Sequence, residues 1–282
     1  MLDSAIRSAP GKRRGKCLKL DSLLLFLLLT SFVPPSAAQS GSSAQPVANP
    51  ARPTVATPAT ITPVGYLQFE TGFLGANHSP EFSSRYSLNE VVKLSLASRL
   101  EVVAQLEPFS HATLDGTVTN SGGDLYLGAQ AVLYQGEGAK PTLAASYFYH
   151  AYDDGAPNFD VGSPTQEITL LASADVKGFH YDANAFFSEL TQGAVRRGQF
   201  GQTISIEHSI TKKFALSGEL WHFTQPFLRG NAVGNLWALS YTPRNTLVFD
   251  AGFNRGLTST STRWQVFCGI TYLLPDRLWK KH

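Results

Sequence analysis

Apolar and polar side chains alternate along successive segments of the chain from about residue 65 onward. Residues 123–134 illustrate the pattern: the apolar set is Leu125, Leu127, Ala129, Ala131 and Leu133, and the polar set is Asp124, Tyr126, Gly128 and Gln130. Successive side chains of a β-strand point to opposite faces, so each segment predicts a strand with one apolar and one polar face.

Twelve such segments predict twelve β-strands, and the connections between them alternate between short and long. The strands lie near 65–74, 84–96, 100–107, 123–134, 141–150, 165–174, 179–189, 199–208, 214–223, 232–241, 246–255 and 262–273. Outer-membrane barrels combine an even strand number with short turns at one end and longer loops at the other. We therefore predict an all-β fold over 64–274, a closed antiparallel transmembrane β-barrel. The strands of a soluble β-sandwich also alternate apolar and polar residues, but nothing in that fold requires short and long connections to alternate.

The polar face of the predicted barrel carries more charge than a dry core can hold, because an unpaired buried charge is very costly. The candidate lumen-lining residues are Glu70, Lys93, Glu101, Asp124, Glu167, Asp182, Glu207, Glu219, Asp250 and Arg263. If the lumen is open, this surplus of carboxylates favours cations or neutral polar solutes over anions. In the alternative, the carboxylates pair with Arg and Lys and fill a narrow, closed lumen.

Two positions do not fit the alternation. Glu90 falls on the apolar face of the second predicted strand, between Leu88 and Val92, which requires a bulge or a rim position there. Leu236 and Trp237 compete for the lipid-facing side of the tenth predicted strand.

The N-terminal residues have the composition of an export signal. Basic residues precede an apolar run over 23–29, and Ser36-Ala37-Ala38 provides a small-x-small cleavage site, so residues 1–38 are predicted to be a signal peptide. Residues 39–63 are rich in Pro, Ala, Ser and Thr and predict a disordered periplasmic linker. Residues 275–282 are predicted to form a periplasmic C-terminal tail.

Charge and cysteine content narrow the function classes. Without residues 1–38 the chain keeps 17 of its 23 basic and 19 of its 21 acidic residues, a net charge of −2 that does not indicate nucleic-acid binding. Cys268 is then the single cysteine, which excludes an intrachain disulfide. His78, His111 and His150 show no metal-ligand spacing, so we expect no metal site and no cofactor.

Three segments carry a resemblance to a known family: the hairpin 209–221, the strand segment 123–129 and the run 241–257. They resemble the transporter-like outer-membrane family of the meta-pathway of phenol degradation, over about residues 65–274. The resemblance implies an outer-membrane channel or transporter for small, aromatic or hydrophobic solutes, and it supplies no binding residues. Many such barrels end on an aromatic residue recognised by the assembly machinery, whereas this chain continues beyond Tyr272.

The sequence leaves two other functions open. A non-conducting structural or adhesive barrel would act through the loops 108–122 and 151–164. An outer-membrane phospholipase-like enzyme would need a Ser-His-Asn set on its outer wall; His208 and His222 have the outward parity, but the spacing of that family is missing. We expect a protein without enzyme activity, in the bacterial outer membrane with periplasmic termini. Its expected partners are outer-membrane lipid, the barrel-assembly machinery and a small solute, but no nucleic acid; the alternation does not determine its oligomeric state.

Overall fold

The computed structural model describes residues 45–159 and 161–279. The predicted signal peptide, the first part of the predicted linker and residues 280–282 lie outside this range. Within the described ranges, no helix is long and apolar enough to cross a membrane.

Twelve strands form a closed antiparallel barrel, as predicted. The described strands are β1 Leu67–Asn77, β2 Ser84–Ala97, β3 Leu100–Leu114, β4 Thr117–Ser121, β5 Leu125–Tyr134, β6 Thr142–Tyr152, β7 Ser163–Val176, β8 Phe179–Gln192, β9 Val195–Ser209, β10 Phe214–Gln225, β11 Gly230–Arg244, β12 Leu247–Gly256 and β13 Trp264–Leu273. Consecutive strands pair with each other, except that β3 pairs with β5, and the pairing of β1 with β13 closes the ring. β4 pairs with β3 alone and stands outside the ring.

The alternation of side chains has the polarity that a membrane requires, since a lipid-facing sheet must be closed and apolar outside. On β11, Leu236 is 3% exposed and faces inward, whereas the neighbouring Trp237 is 49% exposed and faces outward. This resolves the ambiguity of the tenth predicted strand. Large apolar side chains lie on the outside of every strand of the ring, and most of the buried polar side chains lie on the inside.

The two ends of the barrel differ. At the end where β1 begins and β13 ends, here called the terminal end, most connections between strands are short, and the longest is 135–141. The opposite end, here called the loop end, carries most of the longer connections, although 193–194 between β8 and β9 is a tight turn. The predicted loop 108–122 is wrong in part, because β3 continues to Leu114 and forms a hairpin with β4. Asp115 and Gly116 form its turn with φ of 48° and 78°, and an Asp-Gly pair favours this type of tight turn.

A bulge accommodates Glu90. The register between β2 and β3 shifts between Leu88 and Glu90, which inserts one extra residue of β3 beside them. Glu90 stays on the outer face, and its carboxylate accepts a hydrogen bond of 2.9 Å from the hydroxyl of Thr71 on β1.

The N-terminal segment 45–63 corrects the prediction of a disordered linker. It enters the barrel at the terminal end, where the amide of Ala48 donates to the carbonyl of Asn245, and it lies inside the lumen. Ala56, Ala59 and Thr62 are almost completely buried. Its composition supplies few core-forming side chains, but its backbone amides bind polar side chains of the barrel wall.

The C-terminal residues beyond β13 fold back on the start of β1. The amide of Leu278 donates to the carbonyl of Gly65, and the guanidinium of Arg277 lies 5.2 Å from the ring centre of Tyr66. The described part of the predicted tail is therefore packed against the terminal end of the barrel.

Candidate functional site

Three glutamates of the barrel wall hold the backbone of the N-terminal segment, which we call the plug segment (residues 45–63). Glu219 on β10 accepts hydrogen bonds from the amides of Val55 and Ala56 at 2.7 and 2.6 Å. Glu70 on β1 accepts from the amide of Ala51 at 3.0 Å. A carboxylate has acceptor sites only, so a stretch of free backbone amides is a fitting partner for it.

Glu101 on β3 holds the end of the same segment. Its carboxylate accepts from both the amide and the hydroxyl of Thr62, at 2.8 and 2.5 Å, and from the hydroxyl of Ser95 on β2. Glu70 is also paired with Lys93 on β2, at 2.6 Å. These side chains are buried, so the plug segment supplies the donors that water would otherwise have to provide.

Arg52 is the charged side chain of the plug segment that binds the wall. Its guanidinium forms an ion pair of 3.0 Å with Asp250 on β12. Gly72 on β1 and Gly269 on β13 face each other in the register, and a Cβ on either would lie within 2.6 Å of the Arg52 side chain. The paired glycines therefore form the notch through which Arg52 reaches Asp250.

Neutral side chains complete the contact on the other side of the lumen. Asn184 on β8 accepts from the amide of Thr57 and donates to its carbonyl, at 2.6 and 3.0 Å. Ser173 on β7 accepts from the amide of Ala59, and Gln130 on β5 donates to the carbonyl of Pro58. Eight strands of the ring thus form hydrogen bonds or ion pairs with the plug segment, which spans the lumen from β12 to β3.

The predicted lumen-lining residues fall into three groups in the structure. Glu70, Lys93, Glu101, Asp182, Glu219 and Asp250 are buried inside the barrel, and Asp124, Glu167 and Glu207 are half-buried on the same face. Arg263 is exposed in the connection before β13, one residue ahead of the strand. The sequence did not identify the plug segment as the partner of these carboxylates, because its Pro, Ala and Thr composition is typical of a linker.

An aromatic section of the lumen lies between the plug segment and the loop end. Four inward rings each lie over a glycine of the neighbouring strand, at directly paired positions. The pairs are Phe148 with Gly128, Phe223 with Gly201, Trp221 with Gly234, and Phe267 with Gly252. A Cβ at any of these glycines would lie 2.1–2.7 Å from the ring. The glycines therefore let the rings lie flat against the wall, which lines the lumen with aromatic surface.

The loop end of the lumen is partly covered by the connection between β6 and β7. Phe159 in this connection packs edge-on against Phe82, at 5.5 Å between ring centres. The guanidinium of Arg85 lies 4.7 Å from the ring centre of Phe159, donates to the carbonyl of Pro157 and pairs with Glu107. One inward arginine thus fixes the connection to β2 and β3.

A polar cluster lies below this cover. The ring of His150 on β6 stacks on Tyr126 at 4.6 Å and lies 2.9 Å from a carboxylate oxygen of Asp124. Glu167 on β7 accepts from the hydroxyls of Thr169 and Ser188. This cluster gives the upper lumen donors and acceptors beside the aromatic section.

A cavity of about 420 Å³ separates the plug segment from the wall at the terminal end. His180, Asp182 and Glu207 line it from β8 and β9, and Arg52 and Pro53 from the plug segment. His180 lies 2.8 Å from Asp175 and 3.3 Å from Asp182. The plug segment therefore does not fill the cross-section completely on this side.

The histidines considered for catalysis are not placed in a catalytic arrangement within the described residues. Nδ1 of His208 lies 3.0 Å from the carbonyl oxygen of Gly178, and its ring stacks on Phe179. Nδ1 of His222 is buried without a hydrogen-bond partner. Within the same residues, no group of three His, Cys, Asp or Glu side chains is placed to hold a metal ion.

Comparison with solved structures identifies the same architecture in an outer-membrane channel. The COG4313 outer membrane channel from Pseudomonas putida F1 superposes with a TM-score of 0.55 and 14% identity, covering 77% of this chain and 98% of that one. The chain has an outer-membrane barrel fold. The KdgM porin and the CymD monoaromatic hydrocarbon channel are also similar, with TM-scores of 0.48 and 0.44 and identities of 13% and 10%; they cover 73% and 77% of this chain, and 98% and 89% of their own. No family model and no curated protein matches the sequence.

Proposed function

We propose that the protein is an outer-membrane channel for small, aromatic or hydrophobic solutes. The observation that carries the proposal is the set of four inward rings that lie over paired glycines. Each ring lies against a glycine on the inner wall of the neighbouring strand, so the four rings add aromatic surface to the wall around the lumen. Such a lining offers stacking contacts to a planar apolar solute. In the proposed orientation in the membrane, the terminal end of the barrel faces the periplasm and the loop end faces the outside of the cell.

The plug segment closes the terminal end in the described conformation, so passage requires its displacement. Its anchors are hydrogen bonds to carboxylates and amides, which bulk water replaces at modest net cost. The segment buries few apolar side chains, and this favours release as one unit while the barrel stays folded. The polar cluster around His150 and Glu167 supplies hydrogen bonds for solutes that carry a hydroxyl group.

Single-channel recording in planar bilayers tests the proposal. The chain that begins at residue 39 is expected to show rare or brief openings, and a chain lacking residues 45–58 is expected to show discrete, long-lived openings. Liposome swelling with toluene-sized aromatic alcohols, compared with sugars of similar size, tests the solute class. A correctly folded barrel without the plug segment that shows neither openings nor swelling would refute the channel and favour a structural or adhesive barrel.

A further inference from the structure

Outside the lumen, lysine and arginine are distributed differently between the two ends of the described barrel. The lysines lie in the turns of the terminal end, at Lys140, Lys177, Lys212 and Lys213. The terminal end also carries Arg99, Arg244 and Arg277, whereas the loop end carries five arginines, which lie on the adjacent strands and connections from β9 to β13. This arginine sector consists of Arg196, Arg197, Arg229, Arg255 and Arg263.

Most of the arginine sector has no carboxylate partner within the described residues. Arg196 pairs with Glu189 at 3.1 Å, and Arg197 binds the carbonyl of Pro226 and lies over the ring of Phe227. Arg229, Arg255 and Arg263 form no ion pair with any described residue. The exposed carboxylates of the loop end lie across the barrel, at the β3–β4 turn and in the connection after β6. The sector therefore has a net positive charge.

Arg255 marks the boundary between this charged sector and the apolar wall. It lies on the same outer face of β12 as Phe253, and the intervening Asn254 is buried inside. Its guanidinium lies 4.6 Å from the ring centre of Trp264 and donates to the carbonyl of Arg263 at 3.0 Å. The ring of Trp264 in turn packs against Phe253, at 6.0 Å. A guanidinium is thus held on an aromatic support at the upper edge of the lipid-facing wall.

We propose that the arginine sector binds the phosphate groups of a phosphorylated lipid in the outer leaflet, with Arg255 as its membrane-proximal anchor and Arg263 beside it in the connection before β13. A planar guanidinium matches two phosphate oxygens at once, and arginine remains charged at every physiological pH. The exposed apolar side chains directly below on the same face of β12, Phe253 and Phe249, fit the acyl chains of the same molecule. The binding rests on the proposed outer-membrane location and orientation.

The arrangement distinguishes a lipid from a soluble anion. A free phosphate would use the guanidinium groups alone and gain nothing from the aromatic support or the wall. A lipid uses both parts of the site, since its phosphate lies at the height of Arg255 and its chains lie along the strands beneath. Arg197 on β9 and Arg229 before β11, on the other side of the sector, fit a second phosphate on a larger headgroup.

Native mass spectrometry of the folded chain in detergent micelles tests the binding. A bisphosphorylated glycolipid is expected to bind more tightly than a zwitterionic phosphatidylcholine, and inorganic phosphate at millimolar concentration is not expected to displace it. Arg255→Gln and Arg263→Gln are each expected to weaken glycolipid binding about tenfold, since each removes a charge-assisted contact. Lys213→Gln at the terminal end, outside the sector, serves as the matched control with a change below about twofold.

Equal binding of the two lipids, or unchanged binding by the Arg255→Gln/Arg263→Gln double variant, would overturn the proposal. Heat-modifiable migration on gels confirms that each variant is a folded barrel. Planar-bilayer recordings on the same variants prepared without residues 45–58 separate the two proposals. A conducting barrel without glycolipid preference removes the lipid site and leaves the channel, whereas a non-conducting barrel that prefers glycolipid leaves the lipid site and removes the channel.

Discussion

Arg52 and Asp250 are separated by 198 residues in the chain, yet their side chains form a 3.0 Å ion pair inside the barrel. The Asp250 side chain is 2% exposed and that of Arg52 is 17% exposed, so the pair is largely withdrawn from water. Gly72 and Gly269 provide the space for it. This contact joins the N-terminal segment to the last hairpin of the barrel.

Removing this ion pair should loosen the plug segment. We expect Arg52→Gln to weaken docking of the segment by about 2 kcal/mol, because a partly shielded pair loses one partner and Asp250 stays buried. Hydrogen exchange of the amides of residues 49–62 measures the effect, and channel openings should become more frequent. The exposed pair of Arg196 and Glu189 is the control, since its loss should change neither readout. Unaltered hydrogen exchange in Arg52→Gln would show that the hydrogen bonds to the wall glutamates hold the plug segment without the ion pair.

The glycine beneath Trp221 should determine how far the indole reaches into the lumen. In Gly234→Ala, the new Cβ would lie 2.1 Å from the indole, so the ring must swing away from the wall. When Gly234→Ala is introduced into a chain lacking residues 45–58, we expect it to lower the single-channel conductance and to shift the fluorescence emission of the indole. Gly198→Ala on β9 is the matched control, because nothing lies within 4 Å of its Cβ position. Equal conductance in both variants would contradict the flat-ring geometry.

The inside and outside of the barrel can be distinguished with two tryptophans. Trp237 is 49% exposed on the outer face, whereas Trp221 is 8% exposed on the inner face. In vesicles with brominated acyl chains, we expect strong quenching when Trp237 is the only tryptophan and weak quenching when Trp221 is. The variants use Phe at the other tryptophan positions. Comparable quenching of the two would be incompatible with a lipid-embedded barrel of this register.

The stability of the barrel should depend on the hydroxyl of Thr71, because this group donates a hydrogen bond to the outward carboxylate of Glu90. Thr71→Val removes the donor to Glu90, and we expect a loss of about 1 kcal/mol of unfolding free energy in lipid vesicles. Glu90→Gln should restore or raise stability, because a neutral amide is less costly on a lipid-facing wall. Urea-unfolding midpoints measure both variants and the double variant. A Thr71→Val barrel as stable as the original, in the presence of Glu90, would show that lipid headgroups or water already solvate the carboxylate.

The twelve-stranded ring follows from local patterns in the sequence. Alternation such as that of Leu125, Leu127 and Ala129 depends only on the two-residue period of a strand, and the sorting of connection lengths depends on which end of the barrel they join. The hairpin of β3 and β4 could also be predicted from the sequence. Asp115-Gly116 is typical of a tight turn, but it lies within a polar stretch that favours a loop.

The sequence by itself determined that the chain forms a barrel with a charged inner face and an apolar outer face. Tertiary structure alone decided what those charges bind. Glu219 and Val55 are 164 residues apart, and Arg52 reaches its carboxylate only through a notch that two other strands create. Such contacts depend on ring closure, which brings together residues without any shared local pattern. The lumen carboxylates were therefore predictable as inward groups, whereas their role as anchors of the N-terminal segment was not.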